Sequence, residues 1–367
     1  MPRKTRILRP GQRIRVLIVD DSVVIRRLVA HALEEDPTFE VVGAAANGAI
    51  ALAKIPQVNP DAITLDIEMP EMDGLETLRR IRQEFPDLCV IMLSAVTARG
   101  ASATLDALAL GADDYVTKAV NAGSLDCSMA SLQGELIPKI KQFFMPGGES
   151  PAAAPRAAEP APAAPPVGPP PAPRPRGLWR PRAVAVGVST GGPTALSALV
   201  AQLPAGFPLP MLVVQHMPPL FTRFLADRLQ TLTRLRVEEA AEGSPVEPSK
   251  ILIAPGGYHM RLARRQDKVV VTLDQGPPEN SCRPSADTLF RSVEEVYGGS
   301  VISVVLTGMG QDGLRGAEAL KASGAYVIAQ DEASSVVWGM PGAVVKAGLA
   351  DAVVSLDQVV RKILEQI

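Results

Sequence analysis

With 367 residues, 47% apolar and 21% charged, and a formal net charge of -2, the chain has the composition of a globular protein of two or three domains. That charge balance argues against nucleic acid as the main partner. No apolar stretch approaches a membrane span, no signal-peptide core opens the chain, and the scattered cysteines Cys89, Cys127 and Cys282 fit a reducing cytoplasm rather than a disulfide framework or a zinc site.

Residues 1–12 read as a basic tail. Arg3, Lys4, Arg6, Arg9, Arg13 and Arg15 crowd the first fifteen positions, as a solvated arm or a weak electrostatic docking arm. From residue 13 the pattern alternates. Arg15 to Val19 is a buried strand ending at Asp20 and Asp21. Val24 to Leu33 has helical spacing, Val41 to Ala45 is a strand and Ala49 to Ile55 a helix. Ala62 to Leu65 is a strand ending at Asp66, and Gly74 to Ile81 a helix. Cys89 to Leu93 is a strand ending at Ser94, and Thr104 to Leu110 a helix. Tyr115-Val116 is a short strand before Thr117-Lys118, and a last helix runs from about Leu125 to Phe144. Strict alternation predicts a parallel sheet covered on both faces, with functional groups at the carboxyl ends of its strands.

Asp20, Asp21, Asp66, Ser94 and Lys118 all sit at such ends. Clustered carboxylates repel unless a cation joins them, and hard oxygen ligands suit Mg²⁺. A hydroxyl and an ammonium facing the same point would bind phosphoryl oxygens. The plainer alternative makes each acid a helix cap. The pieces Val19-Asp20-Asp21-Ser22, Leu65 to Gly74, Leu93-Ser94-Ala95 and Gly111 to Lys118 resemble the receiver domain of two-component response regulators. The resemblance implies a flavodoxin-like domain over 13–144. In it Asp66 would accept a phosphoryl group from a chemotaxis histidine kinase, and Asp20 and Asp21 would hold Mg²⁺ with Asp66. Ser94 and Lys118 would contact the phosphoryl group, and Tyr115 would move with Ser94. Receivers usually carry a cis proline after the lysine. Here Ala119 follows Lys118, and a cis bond there would cost ~3 kcal/mol.

Residues 145–180 are mostly Pro, Ala and Gly and read as a semi-rigid, solvated linker. Beyond it, alternation resumes over 181–367. Ala183 to Val186 is a strand leading into Gly187-Val188-Ser189-Thr190-Gly191-Gly192-Pro193, and a helix follows. Gly187 to Gly191 fits G-x-S-x-G, which lifts a serine hydroxyl above a sheet; a capping Ser189 or a phosphate cradle would also fit. Met211 to Val214 ends at Gln215-His216, and Phe221 to Leu232 is a helix. Ile251 to Ala254 leads to Tyr258-His259, and Val269 to Leu273 suits a hairpin arm. Ala286 to Val296 is a helix. Ile302 to Leu306 runs into Thr307-Gly308-Met309-Gly310-Gln311-Asp312-Gly313, and a helix continues to about Ala322. Ser189, His216 and Asp312 thus follow strands that belong at the centre of a sheet, as a nucleophile, base and orienting acid require. By spacing alone His259 competes with His216, and Asp274 and Asp287 with Asp312. His31 lies in a helix as a surface or packing residue.

Val186 to Pro193, Gln215 to Pro218, Leu306 to Gly313, Ala254 to His259, Arg283 to Asp287 and Trp338 to Ala343 resemble the catalytic domain of chemotaxis protein-glutamate methylesterases. The resemblance implies a Rossmann-like domain, hence two doubly wound parallel-sheet α/β domains, and a Ser189–His216–Asp312 triad. Thr190 and the backbone around Met309 would hold the oxyanion, with no cofactor for the esterase. The substrate would be glutamate methyl esters on methyl-accepting chemoreceptors, with deamidation of receptor glutamines alongside, phosphorylation as the switch and no membrane insertion. His259 would belong to the rim. Cys282 stands where some members have a histidine, with no obvious activating neighbour in sequence. The alternatives are a silent receiver–hydrolase scaffold and a serine hydrolase for a small ester.

Overall fold

The computed structural model describes residues 11–118, 125–144 and 179–367. Ala119, Arg3 to Arg9 and most of the proline-rich stretch lie outside them, as does the side chain of Cys127.

The first part alternates without exception. Its elements are β1 (Ile14–Val19), α1 (Val23–Glu34), β2 (Phe39–Ala45), α2 (Gly48–Val58), β3 (Ala62–Asp66), α3 (Gly74–Glu84), β4 (Cys89–Ala95), α4 (Ala98–Ala109), β5 (Asp114–Lys118) and α5 (Leu125–Lys141). The strands pair in parallel in the order β2-β1-β3-β4-β5. Every residue of β3 is buried, and so are all of β1 but Arg15 and all of β4 but Ala95, because helices cover both faces. Four helices start on short polar caps: Ser22, Asn47, Asp73 and Thr97 each accept a backbone N–H three residues on. Asp20, Asp21 and Asp66 are therefore not the caps. Helix α4 begins at Ala98, earlier than the apolar spacing from Thr104 suggests, because Thr97 supplies the start.

The second part comprises β6 (Ala183–Val188), α6 (Gly192–Gln202), β7 (Met211–Gln215), α7 (Phe221–Gln230), β8 (Arg236–Glu239), β9 (Lys250–Ile253), β10 (His259–Arg265), β11 (Lys268–Asp274), α8 (Ala286–Tyr297), β12 (Val301–Val305), α9 (Leu314–Ala322), β13 (Tyr326–Gln330), α10 (Met340–Lys346), β14 (Ala352–Val354) and α11 (Val359–Leu364). Seven strands pair in parallel in the order β14-β13-β12-β6-β7-β9-β8, and β10 and β11 form a separate antiparallel hairpin. The chain winds outward from β6 in one direction, then returns to the other side of β6 at β12. The crevice at that reversal is where open α/β sheets bind ligands. Ser189 leaves β6 there, flanked by the ends of β7 and β12.

The two parts touch. Tyr115 at the start of β5 stacks on Phe221 of α7, with centroids 5.2 Å apart and planes at 7°. Arg228 of α7 pairs with Asp106 of α4 at 2.6 Å, and α4 packs against α6 and α7.

Candidate functional site

Val188 ends a fully buried strand, so the chain must turn at once to reach α6. Gly191 makes that turn at φ +77°, a left-handed conformation that disfavours a side chain. Gly308 gives the serine its room: a Cβ there would lie 2.7 Å from Ser189 Cβ. The turn is pinned from both neighbouring strands. Gln215 Nε2 donates to Ser189 O at 3.0 Å, Ser189 N to Thr307 O at 3.0 Å, and Thr307 Oγ1 to Thr190 O at 2.9 Å. Ser189 is half-buried at the crevice.

His216 and Asp312 meet in the same crevice, Nε2 to Oδ2 at 2.7 Å. The Asp312 carboxylate is buried and saturated with donors. Ser285 Oγ reaches it at 2.7 Å, Asn280 Nδ2 at 2.9 Å, Ala286 N at 2.6 Å and Asp287 N at 3.1 Å. Ser285 caps α8, so the last two donors are the first free N–H groups of a helix, where an anion is favoured. Burial alone would raise the Asp312 carboxyl. The His216 contact and these hydrogen bonds outweigh it and hold the group well below the usual carboxylate range. A permanently ionised Asp312 fixes the proton of His216 on Nε2 and leaves Nδ1 as the basic nitrogen. Nδ1 faces Cys282 Sγ at 3.5 Å. Among the described residues no hydrogen bond joins Ser189 Oγ to His216.

His259 is elsewhere. It is buried at the start of β10, with Nε2 3.0 Å from Pro277 O, so it does not line the rim. Asp287 serves Gly316 N at 2.7 Å and Asn280. Asp274 pairs with Arg261 at 2.6 Å and lies opposite His259 in the hairpin, away from His216.

At the ends of β1 and β3 the carboxylates of Asp20, Asp21 and Asp66 place oxygens within 4.8 Å of one another. Lys118 Nζ bridges Asp20 and Asp66 at 2.7 Å to each. Burial pushes the Asp66 carboxyl up to about 6, against the pull of the Lys118 ammonium. This all-oxygen donor set matches a hard divalent cation. Ser94 is turned away from the cluster: Thr104 Oγ1 donates to its Oγ at 2.7 Å, and Gly100 O lies 3.2 Å from that oxygen.

The CheB methylesterase family model matches residues 184–363, and the response regulator receiver domain model matches residues 16–129. The protein-glutamate methylesterase/protein-glutamine glutaminase of Trichodesmium erythraeum is 49% identical over 97% of this chain and 99% of its own. That of a Nocardioides species is 48% identical over 98% and 96%. The chain belongs to the protein-glutamate methylesterase/protein-glutamine glutaminase family. Among solved structures, the methylesterase catalytic domain of Thermotoga maritima is 42% identical, with a TM-score of 0.50 over 51% of this chain and 99% of its own. Two α/β domains with parallel sheets, a receiver and a methylesterase, are thus the architecture of this family member.

Sequence reading missed three features of this methylesterase. Ser285 and Asn280 grip Asp312; the Ser285 cap, three residues before Thr288, could have been found from its helix-start pattern. Thr104 holds Ser94. Thr190 Oγ1 donates across the domain boundary to Asp114 Oδ2 of β5 at 3.0 Å, a contact with no sequence signal. Cys282 also departs from expectation: its neighbour is the base itself, brought from sixty-six residues away by folding.

Proposed function

We propose that the chain is a cytoplasmic, phosphorylation-activated methylesterase of chemoreceptors, built as a receiver over 13–144 and a catalytic domain over 181–367 joined by the stretch 145–180. The observation that carries the esterase half is the His216–Asp312 pair beside Ser189 at the switch point of the sheet. Ser189 Oγ attacks the γ-carbonyl carbon of a glutamate methyl ester while its proton passes to His216 Nδ1. The oxyanion that forms is met by backbone around Met309 and by Thr190. Collapse breaks the C–O bond, His216 returns the proton, and methanol leaves. Water, activated by the same nitrogen, then cleaves the acyl-enzyme to glutamate. With an amide the leaving group is ammonia, which is the deamidation of a receptor glutamine.

The receiver half rests on the Asp20–Asp21–Asp66–Lys118 cluster. Asp66 takes the phosphoryl group, and Lys118 moves from its carboxylate bridge to the new oxygens. Asp20, Asp21 and Asp66 would hold Mg²⁺, which supplies charge neutralisation at the phosphoryl oxygens. Ser94 must turn from Thr104 to join them. Asp66→Asn is expected to abolish labelling by a chemotaxis histidine kinase or a small phosphodonor, read as phosphoprotein on a gel. Equal labelling of the variant would assign the phosphate to another residue.

Both moves reach the esterase. Strand β5 carries Lys118 at its end and Asp114 and Tyr115 at its start, and these two touch Thr190 and Phe221. Thr104 lies on α4, which packs on α6 and α7. The receiver thus holds Thr190 beside Ser189, and phosphorylation loosens that hold. Substrate class is tested with the phosphorylated protein and two esters. Methanol release from methylated receptor, with little turnover of a small soluble methyl ester, supports the reading; the reverse makes it a small-ester hydrolase.

A further inference from the structure

The basic nitrogen of the site has a partner that the esterase reaction does not use. Cys282 Sγ lies 3.5 Å from His216 Nδ1, the nitrogen that must accept the serine proton. The thiol is placed by a rigid support. Glu279 and Cys282 exchange both backbone hydrogen bonds, at 3.1 and 2.9 Å, and the two residues between them, Asn280 and Ser281, have φ of +51° and +63°. Two successive left-handed residues closing such a pair make a turn of the tight hairpin class. Its base is tied down: Glu279 pairs with Arg291 at 2.9 Å and accepts from Thr288 Oγ1 at 3.0 Å. Its tip reaches Asp312 through Asn280. One turn therefore grips the acid of the triad and sets a thiol against the base.

We propose that Cys282 is a positioning residue that competes with Ser189 for Nδ1 of His216 and keeps the base parked in the resting enzyme. The inference rests on the triad reading above. In the parked state the S–H bond breaks, the proton moves to Nδ1, and a thiolate–imidazolium pair forms, stable because the thiolate and Asp312 flank the cation. Burial draws the imidazolium down, but the Cys282 sulfur and Asp312 together raise it to about 10. A charged imidazole cannot take a proton from Ser189, so the parked state is silent. The other charged groups around the pair are Asp287, Glu279 and Arg291, all bound to partners that a change at Cys282 leaves in place. Substrate entering at Ser189 must displace the thiol, or the proton must return to sulfur, before turnover.

Two measurements on the full-length, phosphorylated protein test this. The first is the pH profile of kcat/KM for methanol release by Cys282→Ala and Cys282→Ser, each divided by wild type so that receiver titration cancels. Without the thiolate the imidazole sheds its proton at lower pH. The acid limb should therefore move down by about one pH unit or more, a gain of about tenfold on the acid side. The serine variant keeps the size of the side chain and should move the limb equally, which guards against a misfolded alanine variant. The second is the rate of Cys282 alkylation by iodoacetamide at pH 7, read by peptide mass spectrometry. It should fall about tenfold in His216→Gln, because the thiolate is the nucleophile. This readout needs no esterase activity, so it stands even if Ser189 is not the nucleophile. An acid limb that stays in place in both variants overturns the proposal, whatever the alkylation rate; so does alkylation that ignores His216.

Discussion

Ser189→Ala is expected to cut methanol release from methylated receptor by at least about 1,000-fold while circular dichroism stays that of the wild type. Ser189 is half-buried at the crevice, and among the described residues its hydroxyl makes no hydrogen bond; the turn is held by the backbone of Ser189 and by Thr307 and Gln215. Its loss removes the nucleophile and little else. His216→Ala and Asp312→Ala should be comparably severe, since triad members act as a unit. Asp312→Ala should also cost stability, because Ser285 Oγ, Asn280 Nδ2 and two helix N–H groups lose their shared acceptor. His259→Ala should spare much of the activity, since that ring serves Pro277 O. Activity near wild type in Ser189→Ala, or inactivity in His259→Ala with His216→Ala intact, would remove the triad assignment.

Deleting residues 1–145 is expected to raise basal esterase activity toward that of the phosphorylated full-length protein. Couplings of this kind amount to about 1–3 kcal/mol, or roughly 5- to 150-fold. The receiver is held by specific contacts rather than by its tether. A tether as long as 145–180 supplies an effective concentration of only about millimolar order. The Tyr115–Phe221 stack, the Thr190–Asp114 hydrogen bond and the Arg228–Asp106 pair supply the rest. Of these the exposed ion pair counts least. Tyr115→Ala should therefore raise basal activity part of the way, and Arg228→Ala hardly at all. A truncated enzyme no faster than the unphosphorylated whole would show that the receiver does not restrain the site.

Much of this was legible in the sequence because it is local or periodic. Alternating apolar runs fixed two parallel sheets, and the strand ends carried Asp20, Asp66, Ser189, His216 and Asp312. The β10–β11 hairpin was visible in Val269 to Leu273. What escaped depends on chain-distant contacts. Spacing could not separate His216 from His259; the sheet order does, by setting β7 beside β6 and sending His259 into a hairpin. The elements beyond Ala322 escape the reading although β13 is as apolar and as long as β3. The family resemblance makes Thr190 an oxyanion donor, yet Asp114 occupies its hydroxyl, which only the docking of two domains could reveal. Cys282 looked inert for the same reason.

The central claim is that phosphorylation of Asp66 releases an esterase at Ser189. Its most direct test is methanol release from methylated receptor by full-length protein, with and without a small phosphodonor and Mg²⁺, in wild type and in Asp66→Asn. The account predicts a rise in the wild type and none in Asp66→Asn. An equal rise in both proteins, or a fully labelled wild type with unchanged release, would contradict it.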